Sequence, residues 1–328
     1  MICLGIESTA HTFGIGVVNE KGEVLANVKD NFTTLNGGMV PNEASEHHVR
    51  VLDEVLKSAF ETAKINPREV GLVAFSQSPG LGHCLRVGAF AARVLATRLA
   101  VPIVGVNHCI AHLEIGRLLT GATDPVLLYA SGANTQVIAY EGQKYRIFGE
   151  TLDIGIGNFL DSFARELGLG FPGGPKIAEL ASKGNEYIEL PYNVKGMDVN
   201  FGGILTNLKQ KLKSGKYEKE HLCFSVQETV FAMLVEVSER AMAHTGKGQL
   251  LLGGGVACND RLQEMCRQMC QDRLAELFVP ANEYLVDNAA MIAWQGLLEF
   301  GSGKEIAIKD AGIKPYLRTD QVEITWRD

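Results

Sequence analysis

Two histidines stand four residues apart in His108-Cys109-Ile110-Ala111-His112. On a helix that spacing puts both imidazoles on one face, where they reach a single metal ion. Peptide hydrolysis of the zinc-protease kind needs a glutamate directly after the first histidine as general base, and Cys109 cannot act as one. The pair therefore allows a metal and does not support a metalloprotease. Two unrelated core or surface histidines give the same spacing, so a further donor is needed to decide. Asp287, in Val286-Asp287-Asn288-Ala289-Ala290 at the start of the last helix, is one candidate carboxylate ligand. N-capping of that helix is its alternative role.

A second chemistry is phosphate binding. Ser8-Thr9-Ala10-His11-Thr12 and Ser131-Gly132-Ala133-Asn134-Thr135 each place a Ser-x-x-x-Thr turn between two strand-like runs. Such turns expose consecutive backbone N–H groups, and two of them facing across a cleft clamp a phosphate chain. Any tight turn uses small polar residues, but two copies at equivalent places favour a common purpose. Gly253-Gly254-Gly255 leads towards a helix whose N-terminus is a further anion site. No Walker sequence and no well-placed G-x-G-x-x-G is present, so this reading rests on the turns and the glycine run. Asp161, in Gly157-Asn158-Phe159-Leu160-Asp161, has the chemistry to accept ribose hydroxyls. In Phe171-Pro172-Gly173-Gly174-Pro175 the missing Cβ of Gly174 leaves room for a ring or ribose against the backbone. A turn beside a surface carboxylate is the plainer alternative. His47-His48 opens a long helix, where capping and solvation account for it.

The elements that must position these residues are legible as periodicity. Residues 2–6, 12–18 and 23–28 alternate in period two and form a three-stranded meander. Residues 43–65 have helical spacing, 71–76 are β-rich, 86–99 helical, 103–106 a buried strand and 108–119 helical. The same opening then returns as strands at 125–131, 135–140 and 145–150. Helices follow at 156–167, 175–181 and 221–244, then a strand at 249–252, a helix at 259–271, a strand at 277–279 and a helix at 287–300. The stretch 183–219 is polar, carries Lys209, Lys211, Lys213, Lys216 and Lys219, and reads as an irregular solvated insertion. Residues 301–328 read as a surface tail. Two meanders with matching turns argue for an internal duplication, and strands alternating with helices argue for an α/β fold. The lobes are expected at 1–124 and 125–328, the second with a helical insertion near 155–245.

Composition excludes several classes. The chain has 328 residues, 46% hydrophobic and 21% charged, which is ordinary for a globular protein and wrong for a disordered one. Glycine is in excess, with 36 residues, so backbone is expected to approach something closely in many places. Seven scattered cysteines without a C-x-x-C read as reduced thiols of an intracellular protein. No signal peptide is visible, and the most apolar window, 87–106, is interrupted by Arg93, Arg98 and Pro102 and is unfit to span a bilayer. Lys plus Arg number 31 against 38 Asp plus Glu, a formal net charge of −7, which excludes an autonomous polybasic binder of nucleic acid.

Taken in order, Leu4-Gly-Ile-Glu-Ser-Thr-Ala-His-Thr12, His108-x-x-x-His112, Tyr129-Ala-Ser-Gly-Ala-Asn-Thr135, Phe171-Pro-Gly-Gly-Pro175, Gly254-Gly-Val-Ala-Cys-Asn259 and Asp287-Asn-Ala-Ala-Met291 resemble the TsaD family. The likeness is to its archaeal and eukaryotic branch, the catalytic subunit of the KEOPS complex. His11 stands where bacterial members carry Asp, in keeping with that branch. The resemblance implies an actin-like ATPase fold, also that of sugar kinases, with two duplicated α/β lobes and ligand in the cleft between them. It implies transfer of a threonylcarbamoyl group from threonylcarbamoyl-AMP to N6 of the adenosine beside the anticodon in tRNAs reading ANN codons. One divalent metal per subunit, iron or zinc, is implied on His108, His112 and Asp287, with Tyr129 as a further contact. These three residues and Glu7, pointing from the first strand towards the cleft, would carry catalysis. Tyr129, Ala130, Ser131, Gly132 and Ala133, together with Asp161, Gly174 and Asn259, match contacts to an adenine nucleotide, and ATP analogues are further implied occupants. A carboxylate is expected four residues after Gly174; Ala178 stands there, leaving its neighbour Glu179 as the candidate ribose contact. The implied partners are tRNA and other KEOPS-type subunits, including a small protein kinase/ATPase, in the cytoplasm and without a membrane.

Three competing readings remain open at this point. A sugar or acyl kinase of the same fold would use both turns but not the histidine pair. A metalloprotease lacks its base. A nucleotide-dependent scaffold would bind ATP and transfer nothing.

Overall fold

The computed structural model describes residues 1–35 and 38–327. The chain runs β1 (Ile2–Glu7), β2 (Thr12–Asn19), β3 (Val24–Asn31), α1 (Pro41–Ala63), β4 (Leu72–Ser78), α2 (Gly82–Leu99), β5 (Ile103–Asn107) and α3 (His108–Thr120). It begins again with β6 (Val126–Ala130), β7 (Thr135–Glu141) and β8 (Lys144–Glu150). Then come α4 (Ile156–Glu166), α5 (Gly174–Ala181), the short strands β9 (Val194–Lys195) and β10 (Asp198–Val199), α6 (Gly202–Lys213) and α7 (Lys219–Thr245). The chain closes with β11 (Gln249–Gly253), α8 (Asp260–Asp272), β12 (Glu276–Phe278), the single turn α9 (Asn282–Leu285) and α10 (Ala289–Gly301).

The two main sheets are copies of one plan. The first has the order β3-β2-β1-β4-β5 and the second β8-β7-β6-β11-β12. In each, the first three strands are antiparallel and the last two join in parallel. Even the irregularity recurs, at Val17/Val18 between β2 and β3 and at Val137/Ile138 between β7 and β8. The duplication expected from the turns is thus present strand for strand.

Helices cover both faces of the first sheet, α1 and α2 on one side and α10 on the other. β1, β2, β4 and β5 are consequently buried almost throughout, as strands with two covered faces must be. The helix that ends each half lies against the other half's sheet: α10 on β1, β2 and β4, and α3 on β11, with α3 and α10 packed on each other. The largest apolar core belongs to the second half, where Phe159, Phe163, Phe201 and Phe231 are fully buried. Each contributes roughly 1.5–3 kcal/mol by burial.

Three expectations need correction. The stretch 183–219 is not irregular: it contains β9, β10 and α6. The many lysines mask an apolar stripe in which Phe201, Ile204 and Leu208 are buried and Leu205 and Leu212 pack beside them, while Lys213 is exposed. Asp287 is not the cap of the last helix, since Asn288 Oδ1 accepts from Met291 N at 3.0 Å. His47 and His48 are not solvated; both are buried, His47 Nε2 lies 2.9 Å from Asp30 Oδ1, and burial pushes His48 down to about 4.

The tail beyond α10 is a strap across both sheets. Ile306 bridges to Ile103, Gln77 Nε2 donates to Gly312 O at 2.7 Å, and Val322 and Ile324 join the core around Tyr129 and Tyr145. Asp328 lies outside the described residues. Among the described residues no helix is long and apolar enough to cross a membrane.

Candidate active site

The duplicated fold brings the N-termini of its two terminal helices together. Asn107 caps α3, accepting from Cys109 N and Ile110 N at 3.1 and 3.2 Å, and Asn288 caps α10. Each cap satisfies backbone donors that a helix start leaves free. His108 is the first residue of α3, His112 lies one turn on, and Asp287 immediately precedes the α10 cap. Asp287 Oδ1 stands 3.2 Å from His108 Nε2 and 3.3 Å from His112 Nε2. Tyr129, from β6, brings its hydroxyl to 3.1 Å from His108 Nε2.

These groups form a donor set of the right kind for a metal. One ligand atom from each of His108, His112 and Asp287 lies within 4.8 Å of the others, and all three residues are buried. Two imidazoles with one carboxylate suit a transition metal; magnesium and calcium take oxygen ligands. The outer arrangement fits as well. Glu7 Oε2 lies 2.9 Å from His108 Nδ1, while Glu7 Oε1 accepts from Thr9 N at 2.7 Å and from the Thr9 hydroxyl. A carboxylate on the far nitrogen fixes the ring and leaves Nε2 facing the site. Glu7 is therefore placed as the support of His108, reaching the centre through it.

Charge is finely set around this point. Burial opposes the charged form of His108, but Glu7 and Asp287 outweigh it and raise the imidazole well above its ordinary value. Burial also opposes ionisation of Asp287, yet the two imidazoles, His108 foremost, hold its carboxyl well below the usual range. Burial keeps His112 neutral by lowering it, and pushes the Tyr129 phenol well up. A metal must therefore displace a proton from His108. Metal affinity is expected to rise with pH, by about tenfold per unit, as long as pH stays below the raised His108 value. Cobalt titration at pH 6, 7 and 8 measures it; an affinity flat across that range contradicts a protonated His108.

The two hairpin turns differ in what they offer. In the first, Ser8 N donates to Ser76 Oγ and Thr9 N to Glu7, so these amides are already committed. In the second, the N–H groups of Gly132 and Ala133 have no protein acceptor among the described residues. That turn is held from behind: Gly157 N and Asn158 N donate to the carbonyls of Ser131 and Gly132, and Gly254, at φ +91°, abuts the carbonyl of Ala130. Its Cβ would fall 2.3 Å from that oxygen, so only glycine fits.

The other nucleotide candidates fall unequally. Asp161 accepts from Gly173 N at 2.6 Å, and burial raises its carboxyl. Gly174 begins α5 with open space where a Cβ would be. Asn259 is occupied structurally, since it caps α8 through Arg261 N and donates to Gln227 Oε1. Glu179 is exposed and paired with Lys183 at 2.9 Å. Sequence alone gives no sign of Asn27 and Lys29, which contact the Asp287 segment, because β3 also carries the polar Asp30 and Asn31 and the pair does not stand out.

Comparison with known proteins bears on what this site serves. The sequence model of the family described as TsaD, tRNA N6-adenosine threonylcarbamoyltransferase, matches residues 23–294. The chain belongs to this family. A curated relative of that name from Thermococcus kodakarensis is 59% identical over 99% of this chain and 100% of its own. A probable bifunctional tRNA threonylcarbamoyladenosine biosynthesis protein from Methanothermobacter thermautotrophicus is 53% identical over 99% of this chain but 61% of its own. Among solved structures, T. kodakarensis HypF superposes with a TM-score of 0.65 at 13% identity, over 92% of this chain and 48% of that one. That likeness concerns the fold alone, which is the actin-like, sugar-kinase-like fold expected for the TsaD family.

Proposed function

We propose that this chain transfers the threonylcarbamoyl group of threonylcarbamoyl-AMP to N6 of the adenosine beside the anticodon in tRNAs reading ANN codons. The observation that carries this reading is the pairing of two features. Buried donors, His108, His112, Asp287 and Tyr129, converge where α3 and α10 meet, and β6, which bears Tyr129, runs directly into the turn whose Gly132 and Ala133 amides have no acceptor among the described residues. Iron or zinc suits the donors. When bound, the metal supplies a Lewis acid that makes the carbamoyl carbon more electrophilic.

The chain's own groups do the rest. The exocyclic amine is a poor nucleophile because its lone pair is delocalised into the ring, so positioning matters. The N6 lone pair forms the new C–N bond, the bond from the carbamoyl carbon to the phosphate oxygen breaks, AMP leaves with the electron pair, and the N6 proton passes to solvent water. Gly132 and Ala133 amides aim at the phosphate as its charge develops. Asp161 and the bare backbone at Gly174 receive the ribose. Glu7 keeps His108 turned to the centre. Residues 1–124 and 125–328 act as the two lobes around the cleft.

Partners follow from charge and from the relative with a longer chain. A net charge of −7 leaves this protein short of phosphate contacts, so other KEOPS-type subunits, a small protein kinase/ATPase among them, are assigned most of them. The bifunctional relative devotes roughly two fifths of its length to something besides the part matched here, in keeping with an activity that works beside a partner. The local candidate on this chain is 209–219. There Lys213, Lys216 and Lys219 are exposed, whereas Lys209 pairs with Glu166 at 3.0 Å and Lys211 lies over the Tyr217 ring. A cytoplasmic setting goes with a tRNA substrate.

A reconstituted transfer assay on tRNA, with and without partner proteins and paired with elemental analysis, tests the reading. The isolated chain is expected to bind tRNA weakly, with a shallow dependence of log affinity on log salt of no more than about three contacts. Steep, tight binding by the chain alone would overturn the partner assignment. A metal-loaded assembly that forms no modified adenosine would overturn the transfer reading itself.

A further inference from the structure

β3 is the outer strand of the first sheet, far in sequence from the metal donors. Asn27 and Lys29 lie two apart on it, so their side chains share one face. Both reach the segment that carries Asp287. Lys29 Nζ donates to the carbonyl of Asp287 at 3.2 Å and to that of Glu283 at 3.3 Å. Asn27 Oδ1 accepts from Ala289 N at 3.2 Å and Ala290 N at 3.3 Å. One strand thus grips residues 283–290 on both sides of Asp287 through four hydrogen bonds. From the other side the segment is tied to the glycine turn by Gly254 N donating to Leu285 O at 2.9 Å.

We infer that Lys29, assisted by Asn27, is a positioning residue for Asp287, fixing the backbone from which that carboxylate reaches His108 and His112. This rests on the metal reading proposed above. Asp287 lies between α9 and α10, in a stretch with no ladder of its own, and its backbone carbonyl would otherwise be free to rotate. A carboxylate holds a metal with two imidazoles only if its Cα stays within a fraction of an ångström, because the side chain is short. The Lys29 ammonium ends on the peptide oxygen of Asp287, so its hold on the site is exerted through the main chain.

Geometry and charge predict opposite outcomes for its removal, and this makes the inference decidable. If Lys29 acted only as a nearby positive charge, taking it away would relieve repulsion of a cation and tighten metal binding. If it positions Asp287, taking it away loosens the site, and loss of such an outer partner costs on the order of 10–100-fold in metal affinity.

The experiment titrates purified full-length wild type, Lys29→Met, Lys29→Gln and Lys29→Arg with Co²⁺ against a competing chelator. It also records the cobalt absorption bands and the unfolding temperature of each metal-free protein. Lys29→Met and Lys29→Gln are expected to lose about tenfold or more in affinity with shifted cobalt bands, while metal-free Tm stays within a few degrees. Lys29→Arg is expected to recover most of the affinity, since its guanidinium also donates to carbonyls. In the reconstituted transfer assay at saturating metal, kcat should fall in Lys29→Met with the KM for nucleotide unchanged. A folded Lys29→Met or Lys29→Gln that binds cobalt as tightly as wild type, or more tightly, overturns the inference. If Lys29→Met does not fold, Lys29→Gln and Lys29→Arg decide by the same criterion. Failure of wild type to bind cobalt at all would strike the metal reading, a result distinct from an unaffected variant.

Discussion

Asp287→Ala is expected to strip the protein of its metal and to lower threonylcarbamoyl transfer on the order of 10³-fold while leaving the fold in place. The size follows from the work assigned to the metal, a polarisation worth several kcal/mol of transition-state stabilisation, of which about 4 kcal/mol corresponds to that factor. Asp287 Oδ1 lies within 3.3 Å of both His108 Nε2 and His112 Nε2. Its loss removes the carboxylate that the segment just before α10 contributes to the cluster. The fold survives because α10 is capped by Asn288 and clamped by Asn27, neither of which uses the Asp287 side chain. Burial is not left with an unpaired charge either, since Glu7 still faces His108 at 2.9 Å. The measurement pairs elemental analysis of the purified variant with single-turnover transfer in the reconstituted assembly, and adds unfolding temperature as a control. His108→Ala should behave alike. A variant that keeps its metal, or transfers at the wild-type rate without it, would refute the role given to this cluster.

How much of this was legible in the sequence depends on the range over which each signal acts. The histidine pair was legible because helical spacing is local: His108 and His112 do share one face of α3. The repeated turns were legible because duplication leaves its mark in sequence order, and the two sheets bear it out. Glu7 is legible as a cleft-facing candidate for catalysis, without a partner. Its actual partner, the Nδ1 of a histidine 101 residues away, is set by β1 running parallel to β4 and β4 to β5, which brings strand ends to one level. The exchange of terminal helices between halves left no local trace, and with it went the roles of Asn27 and Lys29. α6 was missed for a different reason. Its lysines dominate the composition of a stretch whose four-residue apolar spacing, Ile204 to Leu208 to Leu212, is the true signal. Glu179 was offered on sequence adjacency alone, and adjacency on a helix rotates a side chain by about a quarter turn. It stands instead beside Lys183 on the solvent side.

Gly16→Val is expected to cost the fold about 3 kcal/mol or more and to lose the metal in the same stroke. Gly5 and Gly16 face each other across β1 and β2. A Cβ on Gly16 would fall 2.4 Å from the backbone of Ala289 and Ala290, and one on Gly5 would fall 2.3 Å from Ala293 N. These are the first turns of α10, so the helix backbone lies directly on the glycine pair. Overpacking a core by ordinary methylenes costs about 1–3 kcal/mol, and here the obstacle is main chain that no rotamer change can clear. α10 must lift, and Asp287, two residues before it, lifts with it, away from His108 and His112. The two readouts are therefore coupled in a way that Asp287→Ala does not share: Gly16→Val lowers both the urea midpoint and metal content, whereas Asp287→Ala lowers metal content alone. Gly16→Ala should sit between, with one methyl to accommodate. If Gly16→Val kept wild-type stability and metal, α10 would not be seated on β1 and β2 as described. The excess of glycine in the composition, 36 residues of 328, is then accounted for in part by this contact. The Asp287 carboxylate can reach the histidines because a helix from the end of the chain lies bare against the strands that begin it.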